Sequence, residues 1–157
     1  MSMIYLLNYW LPPVLWMVFL FPLTNDALSA RSTADTIVPL IEPIIRLFLP
    51  GASQATIHTI HILIRKLFHL FNYAFLAFLL WRAFQGKNKD WCWKRIWYSC
   101  VISVGYGALD EFLQTMTATR TGSFSDWMID SIGVLFFLGV VTLIRQNHEG
   151  TLSEKTI

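Results

Sequence analysis

Four stretches of the chain are apolar for long enough to cross a hydrocarbon core of about 30 Å. They run from Met3 to Leu23, from about Ile62 to Phe84, from Lys94 to about Thr117, and from Asp126 to Ile144. The polar residues inside them are not scattered. At about 100° per residue, His58, His61, Arg65, His69 and Asn72 fall within about 80° of one another, with Tyr73 and Lys66 beside them. The third stretch repeats the pattern with Ser99, Ser103, Tyr106, Asp110, Gln114 and Thr117, while Glu111 stands about 100° from Asp110. The fourth aligns Asp126, Asp130 and Gly133. Charges facing lipid are costly, so these stripes point inward. The pattern predicts an all-α, polytopic membrane protein: a four-transmembrane-helix bundle with an extra surface segment between helices 1 and 2.

That extra segment, Thr36 to Pro50, has prolines at 39, 43 and 50 and a Glu42/Arg46 pair at helical spacing. It reads as too broken to span, and is expected on the membrane surface. Pro50-Gly51 then punctuates the start of a long helix from Ser53 that projects from the bilayer before crossing it. Pro12 and Pro13 predict a kink in the first span. Ala27-Leu28-Ser29-Ala30 faintly resembles a signal-peptidase site, but Met1 to Trp10 contains no Lys or Arg, so the first apolar run is expected to be an uncleaved span. No repeat, low-complexity tract or second domain is visible, and residues 1–157 read as a single membrane domain.

Composition agrees: 55% of the chain is hydrophobic and 14% charged, against roughly 25% charged in soluble domains. A net charge of +2 is too small to imply a nucleic-acid partner. The positive charge sets topology instead. The connection from Arg82 to Arg95 carries Arg82, Lys87, Lys89, Lys94 and Arg95 against one acid, Asp90, which marks it as cytoplasmic. The 116–125 loop holds only Arg120 and is expected outside, giving a multi-pass cell-membrane protein with both termini cytoplasmic. Trp81, Trp91, Trp93 and Trp97 flank the inner face, and Trp127 the outer one. Cys92 and Cys100 form no C-x-x-C pair, so they suggest free thiols rather than a zinc site or a disulfide.

Depth gives an independent check. Counting about 1.5 Å per residue from Arg82, His69 lies about 20 Å up and Arg65 about 26 Å. Asp110 lies about 23 Å above Arg95, and Asp130 equally far from Arg145. Three helices thus bring their charges to one level, below the outer surface. At that level Arg65, Lys66 and Arg120 face Asp110, Glu111, Asp126 and Asp130, and one protonated histidine or carboxylic acid would neutralise the set.

These residues also carry a family resemblance. Arg65-Lys66-Leu67-Phe68-His69, continuing to Tyr73, resembles the R-K-x-x-H-x-x-x-Y opening of VanZ-like proteins, and Asp110-Glu111-Phe112-Leu113-Gln114 resembles their D-E-x-x-Q motif. Arg120, Gly122, Asp126 and Gly133 are similar to the R-x-G…D…G ending. Where the family commonly has Asn four residues after that aspartate, this chain has Asp130. The match spans roughly residues 60 to 145. It implies a cell-envelope context, the founding member being associated with low-level teicoplanin resistance in Gram-positive bacteria, and does not imply a particular reaction.

Each polar residue has a plainer reading beside the functional one. Ser99, Ser103, Thr117 and Gly133 suit ordinary helix packing, and His58 and His61 suit a solvated helix face above the bilayer. Lys66 is equally suited to snorkelling. Arg65, His69, Asp110 and Glu111 favour function, because intramembrane ionisable groups are expensive and kept for a task. The reading that results is recognition or modification of an anionic lipid or lipid-linked cell-wall precursor headgroup at the outer leaflet. Arg65 and Lys66 would hold phosphate, with Tyr73, Gln114, Arg120, Asp126 and Asp130 completing the binding side. His69 would serve as acid, base or nucleophile, oriented by Asp110 or Glu111. A transporter or proton-coupled carrier and a non-enzymatic interaction protein stand as alternatives, and whether the chain is an enzyme stays open. Metal chemistry is disfavoured because Arg65 and Lys66 interrupt the His58/His61/His69 region and would repel a divalent cation, so no cofactor is expected.

Overall fold

The computed structural model describes residues 3–23, 30–88, 90–116 and 122–154, and every regular element among them is helical. Residues 3–23 (α1) form a continuous helix made of Met3–Tyr5, a π-helical stretch Leu6–Trp10 and Leu11–Leu23. Four further helices follow: α2 (Ala30–Phe48), α3 (Gln54–Gln85), α4 (Trp93–Thr115) and α5 (Phe124–Glu154). Among the described residues, three helical stretches are long and apolar enough to cross a membrane: Met3–Leu20, Gln54–Gln85 and Phe124–Gln146.

The two proline pairs act on their helices in different ways. Pro12 and Pro13 have no N–H for the carbonyls of Asn8 and Tyr9, and their rings crowd those carbonyls. The chain answers with the π-helical stretch just before them, in which the Leu11 N–H reaches back to Leu6 O. Pro39 and Pro43 lie inside α2 without breaking it, so the segment expected to be broken is a helix of 19 residues that begins upstream of Thr36. Their spacing of four puts both rings on one side, and the two missing donors affect only the carbonyls one turn back. Leu40, Ile44, Leu47 and Phe48 form an exposed apolar face, while Glu42 and Arg46 pair on the opposite face at 2.8 Å. From there Arg46 donates to Ala52 O at 3.3 Å and Gln54 to Glu42 at 3.3 Å, tying α2 to the start of α3.

Ser53 caps α3, its hydroxyl accepting from the Thr56 N–H at 3.2 Å. The other end closes on Gly86, whose φ of 55° lies in the region that favours glycine. The turn into α4 is tied by Arg95, which donates to Gln85 Oε1 at 3.2 Å and to Asp90 O at 2.8 Å.

α3, α4 and α5 pack on one another, and α1 lies against α3 and α4. Trp16 donates to Asn72 O at 3.2 Å, Tyr106 to Met17 O at 2.6 Å, and Tyr5 to Ala83 O at 3.5 Å. An apolar core of Leu76, Ala77, Leu80, Ile96, Val134 and Leu138 fills the half of the bundle toward Arg82 and Arg95, with Tyr73 at its upper edge and Leu20 of α1 joining the same cluster. α4 has the inverse of a soluble helix's polarity. Its buried residues include Ser99, Ser103, Asp110, Glu111 and Gln114, while Tyr98, Val101, Leu109, Phe112 and Met116 are exposed. Polar inside and apolar outside is the distribution that lipid, not water, selects.

Candidate functional site

The stripes predicted from periodicity converge at the end of the bundle away from Arg82. Arg65 Nη2 lies 3.1 Å from Asp126 Oδ2, and Lys66 Nζ 3.3 Å from Asp126 Oδ1. Both cations come from α3 and the acid from the first turn of α5, where a carboxylate also complements the helix dipole. One turn further along each helix, His69 Nδ1 stands 3.5 Å from Asp130 Oδ1. The carboxylate beside His69 is therefore Asp130, in place of the Asp110 or Glu111 expected. Registry explains this: Arg65 to His69 and Asp126 to Asp130 are both steps of four, so once Arg65 meets Asp126 the next turn aligns His69 with Asp130.

Asp110 is engaged on another side. Tyr73 Oη donates to its Oδ2 at 3.0 Å and Gln114 Nε2 to the same oxygen at 3.2 Å. Asp110, Glu111 and Gln114 are all buried. Glu111, which stood off the predicted stripe, is nevertheless brought in by the segment before α5: its Oε2 accepts from the Ser123 N–H at 2.6 Å. Gly122 makes this possible, because a Cβ there would run into the Glu111 carbonyl oxygen.

Ser123 does not stand out in the polar stripes, although a sequence signal for it exists. Ser123-x-x-Asp126 has the form of a capping box, in which the third residue's carboxylate reaches back to the cap's N–H. Here Asp126 is taken by Arg65 and Lys66, and Glu111 supplies the acceptor from α4. Two further residues outside the expected set position the helices. Trp127, expected as an interfacial marker, donates its indole N–H to Val104 O at 3.1 Å. Gly107 lets the rings of Tyr73 and Trp127 approach its backbone closely. Gly133 does the same between α3 and α5, where a Cβ would meet the Leu70 carbonyl oxygen.

The remaining expectations divide. His58 is exposed, but His61 is buried together with Ile57 one turn away, so it is not part of a solvated face. Arg120 and Thr117 lie outside the described residues. Among the described residues no group of three or more His, Cys, Asp or Glu side chains is placed to hold a metal ion.

Chemically, the site combines two cations on a shared carboxylate, a histidine with a carboxylate at one ring nitrogen, and acids buried behind them. Three of those buried oxygens, Glu111 Oε1 and both of Asp130, have no hydrogen-bond partner. No curated protein and no solved structure matches the chain. The VanZ/LLP1 family model matches residues 9–145, taking in every element that builds this site, and the chain belongs to the VanZ/LLP1 family.

Proposed function

We propose that the chain is a multi-pass cell-membrane protein that crosses the bilayer four times with both termini cytoplasmic, and that it holds the phosphate of a lipid or lipid-linked cell-wall precursor at the outer leaflet. α4 is the fourth span in this reading: its polar face is buried against α3 and α5, and its apolar face is turned outward. The excess of Lys and Arg around the α3–α4 turn supports the orientation.

The observation that carries the reading is the convergence of Arg65 and Lys66 on the single carboxylate of Asp126. Two positive charges share one negative charge, so the trio keeps one unit of positive charge. It lies at the end of the bundle, with both cationic side chains partly exposed. Asp126 holds the two cations in place, and an incoming phosphate meets donors already positioned, Arg65 offering the planar fork that suits its oxygens. His69 lies one turn further in on the same helix face, within reach of such a phosphate as acid or base. A carrier is less well supported, because the apolar core closes the opposite half of the bundle and leaves no charged relay through it among the described residues.

The test uses purified protein in nanodiscs doped with a polyprenyl phosphate or a lipid-linked cell-wall intermediate. Bound lipid is counted by native mass spectrometry, and the lipid's mass reports any reaction. Arg65→Ala is expected to weaken retention at least tenfold, equivalent to about 1.4 kcal/mol. Equal retention by wild type and variant would overturn the reading. The further proposal of a link to glycopeptide tolerance fails if Arg65→Ala and Asp110→Ala, accumulating normally in a teicoplanin-tolerant host, leave that tolerance intact.

A further inference from the structure

The buried acids behind Arg65 and Lys66 are not satisfied by the protein. Glu111 is 7% exposed and Asp130 1%. Glu111 uses Oε2 on the Ser123 N–H, while its Oε1 and both oxygens of Asp130 make no hydrogen bond. A buried carboxylate oxygen without a donor is among the most expensive groups a protein can hold. His69 Nδ1 stands 3.5 Å from Asp130 Oδ1, an ion-pair contact at the limit of hydrogen-bonding distance, which leaves Glu111 Oε1 and Asp130 Oδ2 as the oxygens with no donor in reach. The two acids also lie within Coulombic range of each other and of Asp126. What these two acids lack is a small cation with several N–H donors.

We infer that the headgroup held here carries a primary ammonium next to its phosphate: the site is built for a phospho-amine, with phosphate on Arg65 and Lys66 and the ammonium between Glu111 and Asp130. A primary ammonium has three N–H donors, enough to serve Glu111 Oε1 and Asp130 Oδ2 with one left for Asp130 Oδ1 beside His69. The spacing agrees. Asp126, which marks the phosphate end, and Asp130 are one turn apart on α5, about 6 Å, a distance that a two-carbon linker between phosphate and amine can span. The arrangement also explains why a site with a cationic mouth has an acidic floor, which a purely anionic headgroup would not tolerate. The inference rests on the phosphate reading above and adds the second half of the ligand.

The test compares lipids that share the phosphodiester and differ in the amine. Wild-type protein in phosphatidylcholine nanodiscs, whose quaternary ammonium has no N–H, is titrated with phosphatidylethanolamine or phosphatidylglycerol, and each bound lipid is counted by native mass spectrometry. Soluble phosphoethanolamine is added as competitor in a third arm. The expected result is at least a tenfold preference for phosphatidylethanolamine. That preference should collapse toward unity in Glu111→Gln, which keeps an acceptor for the Ser123 N–H, and in Asp130→Asn. Competition by phosphoethanolamine would assign recognition to the headgroup alone, and its absence would assign it to the intact lipid. Equal binding of the two lipids by wild type, or a preference unchanged in both variants, would overturn the inference and leave the phosphate reading standing. If neither lipid is retained by wild type, the phosphate reading falls with it.

Discussion

Gly133 sets how closely α3 and α5 approach, and replacing it with alanine is the smallest change that tests the architecture of the site. A Cβ at this position would overlap the Leu70 carbonyl oxygen and press on the Leu70 carbonyl carbon and Cγ, at 3.1 and 3.2 Å. The first obstacle is backbone inside a helix, which cannot swing aside as a side chain would. The two helices must therefore separate, and overpacking of this kind costs about 1–3 kcal/mol. For a protein of this size that corresponds to a fall in melting temperature of roughly 3–10 °C. Separation also acts on the site, because Asp130 lies on the same face of α5 one turn before Gly133 and would be drawn away from His69. Gly139 provides the internal control. It occupies the same helix, and a Cβ there would have nothing within 4 Å, so Gly139→Ala should be neutral or slightly stabilising, by less than about 1 kcal/mol. Both variants are purified in the same detergent and melted side by side, with lipid retention measured in parallel. If Gly133→Ala melts with wild type, or the two substitutions are indistinguishable, the close approach of α3 and α5 is not what holds the site together.

Two other expectations follow from the geometry. Tyr73→Phe removes the phenol that donates to Asp110 Oδ2 at 3.0 Å, and losing a hydrogen bond to a buried carboxyl group should lower stability by about 1–2 kcal/mol, read as an earlier thermal transition; an unchanged transition would show that the phenol contributes nothing there. Cys92, a free thiol in the connection before α4, should resist an impermeant maleimide applied to intact cells and react once the membrane is permeabilised; labelling in intact cells would place the site on the cytoplasmic side.

The membership of the site was largely legible in the sequence, and its pairing was not. Helical periodicity brought Arg65, His69, Asp110, Asp126 and Asp130 to inward faces, because lipid leaves charges nowhere else to go. Which cation meets which acid depends on the rotation and axial offset of neighbouring helices, quantities that periodicity within one helix does not contain. Asp126 therefore takes both Arg65 and Lys66, and Asp130 stands beside His69. Glu111 shows the same limit from another side, since a backbone N–H from Ser123 engages it and backbone groups leave no trace in side-chain patterns. The prolines of α2 misled for a different reason. Each removes one donor, yet a helix whose apolar face is turned outward keeps the rest of its ladder. The four expected spans are three by length and apolarity, because the buried polar face of α4 dilutes the signal that marks a span.

The contacts of α1 carry a consequence for the order of assembly. Tyr5, Trp16 and Met17 find their partners at Ala83, Asn72 and Tyr106, separated by 78, 56 and 89 residues of chain. Residues 3–23 are synthesised ahead of everything they bind, so during insertion this helix waits in lipid until α3 and α4 have followed. A span that must survive alone is best made of residues indifferent to their surroundings, and between Met3 and Leu23 there is no charged side chain. Its docking waits on α3 and α4, the helices that carry those partners.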